Sequence, residues 1–121
     1  MKTAKKQISR PIRETTTTWD FAGEKPGQVD TKEITVFFYS PTIADLKTRH
    51  RSIAGVAATE DSYWSSAWLP IYVHSLPDLN VGQGFAEPVT MEWLDDQDLE
   101  NITRLRDAID AAIAPKTTPV T

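Results

Sequence analysis

The sequence contains no cysteine, which excludes a disulfide framework, a thiol nucleophile and a thiolate metal site. Histidine is almost as scarce. His50 and His74 stand apart, with no HxxH, HExxH or carboxylate–histidine cluster around either. Zinc and iron sites therefore have no support, and each ring reads first as a structural side chain. Glycine is sparse too, and the GQG at 82–84 lacks both a GxGxxG pattern and the lysine of a Walker loop. It reads as a connecting loop rather than a phosphate cradle. No GxSxG elbow occurs, and the serines of SYWSSAW have no base with an orienting acid nearby. No stretch approaches the roughly 18 apolar residues of a membrane span. The opening MKTAKKQISRPIRETTTT has basic residues but no apolar run behind them, unlike a secretory signal. With a formal net charge of -4, the chain has no general affinity for nucleic acid or anionic membrane. These absences leave the expectation of a soluble intracellular protein that is not an enzyme, with no catalytic residue, cofactor or metal.

What is present fits one domain. A chain of 121 residues buries a modest core without staples. Residues 1–14, with Lys2, Lys5, Lys6, Arg10 and Arg13, read as a flexible basic arm, 15–114 as a single α+β domain, and 115–121 as a tail. TTTTWDF (15–21) and KEITVFFYS (32–40) are rich in β-branched and aromatic residues and flank GEKPGQVD, whose Gly23, Pro26, Gly27 and Asp30 are turn chemistry. Together they predict a β-hairpin. Both faces of the second strand turn apolar near Phe37, so each side is expected to meet something.

SPTIADLKTRHRSIAG (40–55) opens like a helix, with Ser40 or Thr42 as cap, Pro41 in the first turn and Asp45 against the dipole. Ile43, Leu46, His50, Ile53 and Ala57 fall on one face, with Lys47, Arg49 and Arg51 elsewhere. EDSYWSSAWLPIYVHSLPDL (60–79) is ambiguous. The spacing of Trp64, Trp68, Ile71, Tyr72 and Leu76 favours a helix kinked at Pro70, and a strand at 69–74 is the competitor. After a loop at 79–90, MEWLDDQDLENITRLRDAIDAAIAPK (91–116) is the clearest helix. Asp95 or Asp96 would cap it, Asp98 and Glu100 would face its dipole, and Glu100–Arg104 would pair at i,i+4. Leu99, Ile102, Leu105, Ile109, Ala112 and Ile113 form its apolar stripe. DDQDLE lacks the glycine and later glutamate of an EF-hand, so helix-start electrostatics explain its acids.

Tyr63, Trp64, Trp68 and Tyr72 crowd ten residues, and Trp93 follows. They either pack beneath the C-terminal helix or form an aromatic patch that anchors a partner, as tryptophan and tyrosine do at interface hot spots. Single-strand stacking is disfavoured, because no basic residues interleave these rings.

The succession ITVFFYSPTIADLKTRH, an aromatic element ending SLPDLNVGQGFAEPV, and WLDDQDLENITRLRDAIDAAIAPK resembles tail assembly chaperones of long-tailed bacteriophages and prophages. The likeness spans roughly 30–116 and rests on order and spacing, since each motif alone is generic. The Thr-rich N-terminus is not accounted for by it. The resemblance implies a non-enzymatic protein of the bacterial host cytoplasm, absent from the mature virion. It would bind and solubilise the tape measure protein and help recruit tail tube subunits, with self-association left open. Side-chain chemistry nominates Trp64, Trp68 and Tyr72 with Leu99, Ile102, Leu105 and Ile109 as the partner-binding surface. Two other readings stand beside it: a structural virion subunit such as a tail completion or terminator protein, and a small enzyme using His74 and the acidic cluster.

Overall fold

A computed structural model describes residues 10–53 and 68–113. Positions 1–9, 54–67 and 114–121, and with them Trp64, lie outside these. The architecture is α+β, as expected: a four-stranded antiparallel sheet in the order β1-β2-β3-β4, with helices packed on one face.

The hairpin comes first and is longer than the sequence suggests. β1 (Ile12–Ala22) pairs with β2 (Val29–Tyr39) along its whole length, from Ile12 opposite Tyr39 to Ala22 opposite Val29. Residues 12–14, read as part of a flexible arm, belong to the strand. Lys25-Pro26-Gly27-Gln28 closes the loop with a Gln28 N–H to Lys25 O bond of 3.0 Å, and Gly27 has φ +85°. Proline followed by a glycine at positive φ is the chemistry of a type II turn. One face of the ribbon is buried through Thr17, Trp19, Ile34, Val36 and Phe38. Its other face carries Thr16, Thr18, Thr31 and Glu33, all exposed. Period two therefore sorts core from solvent here.

α1 (Ile43–Ile53) follows, and then, beyond the undescribed stretch, α2 (Leu69–Tyr72). The kinked helix expected over 60–79 is not what the described part shows. Pro70 sits in the first turn of α2, where its missing N–H is no loss, so it starts a single turn instead of bending a long one. The chain then extends into β3 (Val73–Leu76), which pairs with β2 through Phe37–Ser75 and Phe38–Val73 with a bulge between. β2 presents backbone groups that need a partner on this side, and that requirement overrides helical spacing. A 3-10 turn (Pro77–Leu79) and β4 (Val81–Gly82) complete the sheet. Gly82 has φ +109°, and a Cβ there would stand 2.5 Å from the Ser75 Cα, so only glycine fits.

The C-terminal helix is two helices. α3 (Met91–Asp95) is capped by Thr90, whose hydroxyl accepts the Trp93 N–H at 3.1 Å. α4 (Leu99–Ile113) starts anew at Asp98, whose carboxylate accepts the Glu100 N–H at 3.1 Å. Neither Asp95 nor Asp96 is the cap. Thr90 and Asp98 each offer a better-placed acceptor, and the chain breaks between them. Trp68, Leu69, Tyr72, Leu76, Val81, Leu105 and Ile109 fill the space between sheet and helices, all essentially inaccessible to solvent. Each such side chain contributes about 1.5–3 kcal/mol by burial.

Candidate functional site

The residues nominated from sequence do not make a surface. Trp68, Tyr72, Leu105 and Ile109 are fully buried, and Ile102 is 6% exposed. The correction has a simple cause: α4 lays its stripe against β1 and the sheet, and α2 drops its two rings into the same core. Trp68 and Tyr72 meet with centroids 4.7 Å apart. Burial pushes the Tyr72 hydroxyl above its ordinary pKa, with the nearby Arg49 charge pulling the other way. Of the seven nominees, only Leu99 is open to solvent, and Trp64 is outside the described residues. Trp93 is half-buried, stacked on Trp19 at 6.2 Å.

The exposed apolar ridge lies instead on α1. Thr42 and Asp45 cap this helix reciprocally, Asp45 N–H to Thr42 Oγ1 at 3.1 Å and Thr42 N–H to Asp45 Oδ2 at 3.0 Å. Asp45 also pairs with Arg10, which donates to Ser40 O at 2.9 Å and lies over the Tyr39 ring. One turn on, Arg49 stacks its guanidinium 3.9 Å from the Trp68 ring centre and pairs with Asp110 of α4 at 2.8 Å. Asp45 and Arg49, four residues apart, form the line of α1 that faces the protein. The line beside it is apolar: Ile43 is 74% exposed and Leu46 49%. With Lys47, His50 and Arg51 they rim a shallow hollow of about 310 Å³. This helix thus meets the body through charge and leaves two large apolar side chains in water.

A second hollow, about 380 Å³, is rimmed by Tyr39, His74, Gln83 and Phe85. His74 meets Tyr39 edge-on at 5.3 Å, and its Nδ1 lies 2.7 Å from the Ser75 hydroxyl. Ser75 is 4% exposed, so that hydroxyl is not presented to a substrate. Among the described residues, no carboxylate lines this hollow, so His74 and the acids of 95–100 are not one constellation. No group of His, Asp or Glu able to hold a metal occurs among the described residues, and no helix there is long and apolar enough to cross a membrane.

Arg10 and Arg13, read as members of a free arm, are tied to the body; Arg13 Nε donates to Ser40 Oγ at 2.9 Å. The sequence did carry the signal for α1, since Ile43, Leu46 and His50 share one stripe. What it hid was the direction of that stripe, set by Arg10 and Arg49. Compared with family models, with curated proteins and with solved structures, the chain matches none.

Proposed function

We propose that the chain is a tail assembly chaperone of a long-tailed phage or prophage. It binds the tape measure protein and keeps it soluble in the host cytoplasm, helps recruit tail tube subunits, and departs before the particle is complete. The order and spacing of the sequence motifs over 30–116 support this reading. The single observation that carries it is the ridge of Ile43 and Leu46 on a helix whose body-facing line is charged. An apolar ridge flanked by Lys47 and Arg51 fits one kind of partner, an amphipathic helix with carboxylates beside its apolar stripe. The docking surface is accordingly α1 and not the buried rings of α2.

Co-expression with the tape measure protein tests it. The wild-type chain is expected to raise the soluble fraction of that protein, and a folded Ile43→Asp, Leu46→Asp double variant to lose the effect. Full activity in the double variant would sink the α1 surface, and no effect from the wild type would sink the chaperone. Detection of the chain by mass spectrometry in purified particles would favour the structural virion reading, a tail completion or terminator subunit.

A further inference from the structure

Among the described residues, one edge of the sheet is left open over one stretch. Ser40 N–H donates to Pro11 O at 2.8 Å and Gly23 N–H to Gln28 O at 2.9 Å. The odd-numbered residues of β1 therefore exchange backbone bonds with β2, and the even-numbered ones point away from it. At Asp20 that outward edge is closed by a side chain. Asn101 of α4 accepts the Asp20 N–H at 2.8 Å and donates to the Asp20 carbonyl at 3.0 Å, as a neighbouring strand would. Asp78 covers the donor side alone at the far edge of β2, accepting the Thr35 N–H at 2.7 Å. The remaining outward stretch of β2 is blunted by Asp30, Lys32 and Glu33, all exposed. Among the described residues, no side chain from another element closes β1 between Ile12 and Thr18, where the only charges are the adjacent pair Arg13 and Glu14. Ile12, Glu14, Thr16 and Thr18 are exposed there, and Thr15–Thr18 is an uncharged β-branched run.

We propose that Ile12–Thr18 of β1 pairs with the same stretch of a second copy of this chain, antiparallel and centred on Thr15, joining two four-stranded sheets into one. Register selects this arrangement. Centring on Arg13 or on Glu14 sets like charges opposite each other. Centring on Thr16 sets Ile12 against Asp20, whose backbone is already taken by Asn101. Centring on Thr15 avoids all three. It places Ile12 opposite Thr18, Glu14 opposite Thr16 and Arg13 opposite Thr17, and it uses the whole open stretch. Ile12, half exposed in one copy, then packs beside a threonine methyl of the other. A twofold pairing of this kind closes on itself and leaves no further open β1 edge.

Sedimentation velocity of the full chain over a concentration series reaching about 0.5 mM is expected to show a monomer–dimer equilibrium. Position 16 reads the register, because it faces Glu14 of the other copy twice per dimer. Thr16→Lys is expected to tighten the dimer about fivefold and Thr16→Glu to weaken it about fivefold. Adding Glu14→Lys to Thr16→Glu recreates the opposite-charge pair with its sense reversed and should tighten the dimer to about the level of Thr16→Lys. The side chain of Thr16 is exposed, so these variants retain the fold. The chain has no cysteine of its own, and Thr15→Cys places two thiols across a non-hydrogen-bonded pair about 4.5 Å apart at Cα. It should cross-link on mild oxidation, whereas Thr18→Cys, facing Ile12, should not. A chain that stays monomeric over the series overturns the proposal. So does a dimer indifferent to the sign of the charge at position 16.

Discussion

α1 and α4 are both amphipathic on paper, and they use their apolar faces in opposite ways. α4 turns Ile102, Leu105 and Ile109 into the core and leaves Asp107 toward water. α1 turns Ile43 and Leu46 to water and holds the body with Asp45 and Arg49. The difference teaches that periodicity defines a face but not its direction. Direction is decided by which polar groups find buried partners. Arg49 finds the face of Trp68 and a carboxylate on α4, and Asp45 finds Arg10, so the charged line is the one that meets the body. A helix held this way can leave its ridge unpartnered without losing its place.

The sharpest way to break this comparison is to remove the core side of α4. Leu105→Ala is expected to cost about 2–5 kcal/mol in urea unfolding, since the site is fully enclosed by sheet and α2. A loss below about 1 kcal/mol would return the stripe to the surface and make the two helices alike. Asn101→Ala is the next largest. It strands the Asp20 N–H and C=O beside a residue 2% exposed, a loss of about 1–3 kcal/mol by the same measurement. It also opens the β1 edge further toward the turn.

Much of this was legible in the sequence. The hairpin was, because alternation in KEITVFFYS and the Pro-Gly turn are local signals that a two-strand ribbon satisfies by itself. The Glu100–Arg104 pair was too, and stands at 3.5 Å. α2 and β3 were not, because the large residues of SAWLPIYVHSL match a helix repeat and only the unpaired edge of β2 decides otherwise. The break before Asp98 was missed for a related reason: a run of acids suits any helix start, and which one caps depends on where Thr90 has already begun a turn. Of the residues nominated for a surface, Trp68, Tyr72, Leu105 and Ile109 are core. Aromatic residues draw attention as hot spots, yet a 121-residue domain has few other large side chains with which to fill its core.

Arg49 tests the anchor itself. Arg49→Ala is expected to lower stability by about 1–2 kcal/mol, combining a stacked cation with a partly shielded ion pair. Arg49→Lys should recover only part of this, because an ammonium keeps the charge but not the planar contact with Trp68. If both variants unfold with wild-type midpoints, α1 is held by something other than its charged line.

A milder lever is pH. Arg104, ion-paired with Asp20 at 3.0 Å, and the Thr31 hydroxyl, donating at 2.6 Å, hold the Asp20 carboxyl below its ordinary pKa. A carboxylate with a lowered folded pKa stabilises fully above its unfolded value, about 3.9. That contribution fades as pH falls through the unfolded and then the folded value. Urea midpoints should therefore drop on acidification below about pH 5, and Asp20→Asn should flatten that limb. An unchanged slope in the variant would assign the acid sensitivity to other carboxylates.

The smallest effect on stability belongs to the ridge, and its smallness is the point. Ile43→Ser with Leu46→Ser removes two large apolar side chains that are already 74% and 49% exposed. Their loss should shift the unfolding free energy by no more than about 0.5 kcal/mol, the range of ordinary surface changes. A core role would make the same pair of substitutions cost several times more. The variant thus separates folding from docking: it should unfold like the wild type and fail to solubilise the tape measure protein. A large destabilisation would mean that α1 buries its ridge against this chain in solution, and the contrast with α4 would disappear.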